Sequence, residues 1–130
     1  HSKTGSWLDE TEYPDISLIL SKFRDSLDLV AHVLSRETYG SMRSKEAPRP
    51  ETPPHWNQFI KAHPTGVRWH PTEPNFTYIS LEATFRHLYY ETLTHLYNIQ
   101  RLKRAQGLTP VSTIPLEGYW MLPDWDRSEP

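Results

Sequence analysis

The sequence predicts an all-α domain: two long antiparallel amphipathic helices plus one short helix, wrapped by extended proline-rich segments and an aromatic C-terminal tail. Three observations predict it. Apolar residues at Leu81, Phe85, Leu88, Tyr89, Leu93, Leu96, Ile99 and Leu102 recur at helical spacing, with no breaker before Gly107. Ile16, Leu20, Phe23, Leu27, Val30 and Leu34 follow one another in alternating steps of four and three, the spacing of a packed helix seam. The 12 prolines all fall outside these two stretches.

Each element has its own local reasons. Residues 1–13 form an acidic arm, with Trp7 and Leu8 set beside Asp9, Glu10 and Glu12. Such a segment buries too little apolar surface to fold alone. Asp15 caps the first long helix, expected over residues 15–38, with Gly40 as its stop. Leu18, Ile19, Leu29 and Val33 widen its apolar face beyond a two-stranded seam. Residues 41–54 read as a proline-rich linker, because Pro48, Pro50, Pro53 and Pro54 exclude a helix or a central strand. Thr52 and Pro53 open a short helix over 53–63, whose Trp56, Phe59, Ile60 and His63 share one face. Val67 and Trp69 alternate with Arg68 and His70 in a short extended piece that Pro71 and Pro74 confine to an edge. Ser80 caps the second long helix, expected over 80–106, and Arg101, Lys103 and Arg104 suit its C-terminal dipole. Residues 108–130 form the extended tail, whose Leu116, Tyr119, Trp120, Met121, Leu122 and Trp125 are costly to leave in water. The whole of 1–130 reads as one helical domain, with the seam Leu20, Phe23, Leu27, Val30 and Leu34 facing Phe85, Leu88, Leu96 and Ile99.

Composition limits the chemistry. A net charge of −2 gives no global attraction to nucleic acid or to an anionic membrane. The charge is uneven, with both ends acidic and the middle basic. The absence of cysteine excludes disulfides, thiolate metal sites and a thiol nucleophile. With no signal-peptide pattern and no apolar run of membrane-spanning length, the expected location is intracellular, cytoplasmic or nuclear. Five scattered glycines make no phosphate loop, and no catalytic residue or cofactor is assigned.

Three functional readings follow. The first is protein–protein interaction, an assembly module that self-associates through its helix faces and tail, because two such helices expose more apolar surface than they can cover. Its partner-binding candidates are Trp7, Leu8, Tyr119, Trp120, Met121, Leu122 and Trp125, and the expected assembly is a homo-oligomer. The second is contact with RNA or single-stranded DNA through Arg86, Tyr90, Tyr97, Arg101, Lys103 and Arg104, since arginines interleaved with aromatics suit unpaired bases. A pI of about 6.4 weighs against it. The third is a metal-dependent enzyme using His87, Glu91 and His95, which steps of four place on one helical strip, with a fourth ligand from His55, His63 or His70.

Overall fold

The computed structural model describes residues 11–50 and 56–128, with side chains from residue 59 onward in the second stretch. The chain divides into two compact units, residues 1–38 and 39–130. Among the described residues of the first lies one helix, α1 (Ile16–Leu34). Asp15 caps it as expected, its carboxylate accepting the Leu18 N–H at 2.9 Å. The helix ends with its apolar seam at Leu34, four residues short of the expected bound at 38, with the Ser35 N–H returning to the Ala31 carbonyl. None of its residues is buried.

The second unit overturns the all-α expectation. It runs α2 (Tyr39–Ser44), β1 (Glu46–Pro50), α3 (Trp56–Ala62), β2 (Val67–Trp69), β3 (Phe76–Ser80), α4 (Leu81–Ala105) and a single 3-10 turn at Tyr119–Met121. The strands form an antiparallel sheet in the order β1-β3-β2. Two local readings led to the wrong class. Residues 41–54 were expected to be an extended linker, with Pro48 and Pro50 excluding a helix or a central strand, yet residues 41–44 lie in α2 and residues 46–50 form the edge strand β1. The Leu81 N–H donates to the Lys45 carbonyl at 2.8 Å. Alternation along an antiparallel ladder then turns Lys45, Ala47 and Arg49 toward β3, and Glu46, Pro48 and Pro50 toward the open edge. A proline whose nitrogen faces that edge costs no ladder bond. Gly40, expected as a helix stop, lies instead inside α2, which packs on α4 and β3.

The second misreading concerns Phe76–Ser80, which adjoins α4 without a break. Thr77 and Ile79 are buried while Phe76 and Tyr78 are only half-buried, the two-residue period of a strand with one face inward. Five residues carry too short a period to stand out beside a 25-residue helix. Ser80 closes the strand and caps α4, its hydroxyl accepting the Ala83 N–H at 3.1 Å.

The core gathers Phe59, Val67, Ile79, Ala83 and Tyr119 from α3, β2, β3, α4 and the 3-10 turn. Where β2 crosses the start of α4, the Ser80 N–H donates to the Gly66 carbonyl at 2.8 Å. A Cβ on Gly66 would lie 2.5 Å from Ser80 Oγ, and its φ of +105° also requires glycine. The tail returns along α4. Thr94 Oγ1 accepts the Tyr119 and Trp120 N–H groups at 3.1 and 3.3 Å, and Gln100 donates to the Ser112 carbonyl at 2.8 Å. No helix among the described residues is long and apolar enough to cross a membrane.

Candidate functional site

The densest polar cluster lies where α3, α4 and the tail meet. His63 directly follows α3, its N–H donating to the Phe59 carbonyl at 3.0 Å, which aims its ring into the core. His87 projects from the second turn of α4. Gly118, at a φ of +110° and with a Cβ position only 3.3 Å from the Tyr90 carbonyl, turns the tail inward so that Tyr119 reaches between them. The Tyr119 hydroxyl lies 2.7 Å from His63 Nε2 and 2.6 Å from His87 Nδ1. The Phe59 ring meets both imidazoles edge-on at 4.8 and 4.9 Å. Tyr90 closes the cluster, 5.3 Å from the His63 ring and 5.7 Å from Tyr119.

The hydrogen-bond inventory fixes the direction of this chain. A phenol carries one proton, so Tyr119 donates to one imidazole and accepts from the other. His63 is fully buried and its Nδ1 has no hydrogen-bond partner among the described residues. A proton there would be an unmet buried donor, so it belongs on Nε2. The chain then runs from His63 Nε2–H to Tyr119, and from the Tyr119 O–H to His87 Nδ1. Burial favours the neutral form throughout. Desolvation, helped by the Arg86 charge and by His87, holds His63 down to about 4. Desolvation also lowers His87, against an opposing pull from Glu91, and raises the Tyr119 phenol above its ordinary range.

The sequence-predicted strip is only partly assembled. His87 Nδ1 and His95 Nε2 lie 4.0 and 3.5 Å from the Glu91 carboxylate, and His95 is largely exposed. His63, the optional fourth ligand, joins His87 through Tyr119. His70 instead accepts the Glu73 N–H at 3.0 Å in a turn, and His55 lies outside the described residues. Among the described residues no three of His, Cys, Asp and Glu are placed to hold a metal. The separations around Tyr119 are those of hydrogen bonds.

The other candidates have structural partners. Arg86 donates to Glu82 at 2.8 Å and to the Thr65 carbonyl at 2.9 Å. Tyr90 is in the core cluster, and Tyr97 stacks on Trp120 at 4.4 Å and 12°. Arg101 lies beside Tyr97 and donates to the Asp126 and Ser128 carbonyls. Lys103 and Arg104 occupy the last turn of α4. Of the tail anchors, Tyr119 and Trp120 are buried in their own chain, and Met121, Leu122 and Trp125 are half-buried. Trp7 and Leu8 lie outside the described residues. Sequence reasoning placed Tyr119 among the partner-binding residues of the tail, and His63 on the apolar face of the short helix and as an optional metal ligand. It missed their contact across 56 positions and the two bonds from Thr94.

Outside the cluster, the largest uncovered feature is apolar. Ile16, Leu20, Phe23, Leu27 and Leu34 on α1 are 39–68% exposed, and Leu88, Ile99 and Leu102 on α4 are exposed as well. Comparison with known proteins finds no matching family model, no similar characterised protein and no similar solved structure. The fold and site define a mixed α/β chain with an exposed apolar helix face and a largely buried histidine–tyrosine cluster.

Proposed function

We propose that the protein is a self-associating assembly module whose contact surface is the apolar face of α1, and that its partner is a second copy running antiparallel. The exposed seam carries this reading. A 19-residue helix with no buried residue is marginal in water on its own. Its seam is symmetric about Asp25. Ile16 mirrors Leu34, Leu20 mirrors Val30 and Phe23 mirrors Leu27, so an antiparallel copy sets each residue in a layer with its mirror mate. Overlap along the whole helix gives a seam about 28 Å long, and covering half-exposed leucines and phenylalanines contributes roughly 1 kcal/mol each. Ile19 and Val33 widen one side of the pair and favour further packing there.

Sedimentation or light scattering across a hundredfold range of concentration tests this. A mass rising from one chain to two or more is expected, with Phe23→Asp plus Leu27→Asp holding the protein at the mass of a single chain. A single-chain mass at every concentration overturns the proposal.

A further inference from the structure

The Tyr119 hydroxyl, clasped between His63 and His87, ties the tail to α3 and α4. We propose that this His63–Tyr119–His87 chain is an acid-opened latch: proton uptake by the imidazoles releases Tyr119, and with it residues 116–125, from the face of α4.

The argument is one of proton places. A second proton on His63 must go to Nδ1, which is buried and has no acceptor, and it sets a cation near Arg86. A second proton on His87 goes to Nδ1, so that an N–H meets the Tyr119 O–H head-on. Tyr119 can relieve this by donating to His63 Nε2, but that drives the His63 proton onto the same barren Nδ1. Either uptake leaves an unmet buried donor, and the disturbance passes through Tyr119 from one ring to the other. Proton entry is at the half-buried His87, beside Glu91 and, one turn on, the exposed His95. The charged and titratable groups facing the cluster come from every packed element: Arg49 on β1, Arg86, Tyr90 and Glu91 on α4, His63 after α3 and Tyr119 on the tail. Burial disfavours added positive charge at both rings, with Arg86 adding to it at His63 and Arg49 at His87, where the pull of Glu91 exceeds that of Arg49 but not the cost of burial.

The pH window follows from the shift. His63 titrates near 6.5 when released and about 4 when latched. Its contribution is fully present above 6.5 and is lost as pH falls toward and through the latched value. His87, lowered in the same direction, adds to this. The Lys61–Asp124 ion pair that also ties the tail does not titrate there. Asp124, bonded to Lys61 at 2.8 Å, has its carboxyl held below the ordinary carboxylate range by that bond.

Amide exchange in the full chain tests the latch, with the amides of Tyr119–Leu122 compared with those of Thr77–Ser80 at pH 7.5 and 5.0 after correction for intrinsic rates. At pH 5.0 the tail amides should lose about thirtyfold more protection than the strand, on the His63 shift alone. His63→Gln, which can still donate to Tyr119, should remove most of that difference, and His87→Gln, at a half-buried position, should reduce it. Equal loss in strand and tail means plain acid unfolding and overturns the proposal, as does a tail that stays protected. Variants that keep the wild-type pH profile also overturn it. Should neither variant fold, the wild-type comparison decides.

Discussion

Tyr119 carries more of the second unit than its size suggests, because one hydroxyl satisfies a buried and a half-buried imidazole. Tyr119→Phe keeps the ring and leaves both nitrogens without their partner. The expected cost is about 1–3 kcal/mol, read as a fall in thermal midpoint of roughly 10 °C for a unit of this length. Thr94 has a similar double role toward the backbone of the turn, so Thr94→Val, equal in shape, should loosen residues 119–122 in amide exchange while leaving the 76–80 strand protected. At this scale the sequence was legible where a residue acts on close neighbours. Asp15 and Ser80 cap the helices they were expected to cap. His63 and Tyr119 were opaque because nothing local marks two residues 56 apart as partners. The only hint was a histidine on the apolar face of a short helix.

Elements were legible in proportion to their length. The 25 residues of α4 hold the helical period long enough to announce themselves, whereas the strands hold five, three and five residues. In β1 the prolines excluded a central strand but left an edge strand open, because their effect depends on which side of the strand the nitrogen faces, and only pairing decides that. The same geometry gives those prolines a use. They leave the open edge of β1 short of N–H donors, which protects it from pairing with another sheet. Replacing Pro48 and Pro50 with valine should change stability little and raise turbidity on mild heating. Gly66→Ala should behave oppositely, with no new association and a cost of about 2 kcal/mol in urea titration, since both φ and the Ser80 hydroxyl oppose a side chain.

On the scale of the whole molecule, the chain separates a unit that covers its own core from a helix that does not. The sequence showed the surplus of apolar surface but misjudged what covers it: Tyr119 and Trp120, expected to seek a partner, complete the core beside them. Deleting residues 1–38 should therefore leave a cooperative unfolding transition while abolishing self-association, checked by calorimetry and by mass in solution. The helical signal of α1 in the full chain should in turn fall on dilution, as its pairing is lost by mass action.

Ser80 belongs to the sheet and to the long helix at once, and no spacer separates them. A slip of β3 by a single position would rotate that hydroxyl to the opposite side of the pleat and leave α4 uncapped. Strand register and helix initiation are thus one decision. Neither half of this joint can loosen while the other stays intact, so denaturant should melt the 76–80 strand and the first turn of α4 together.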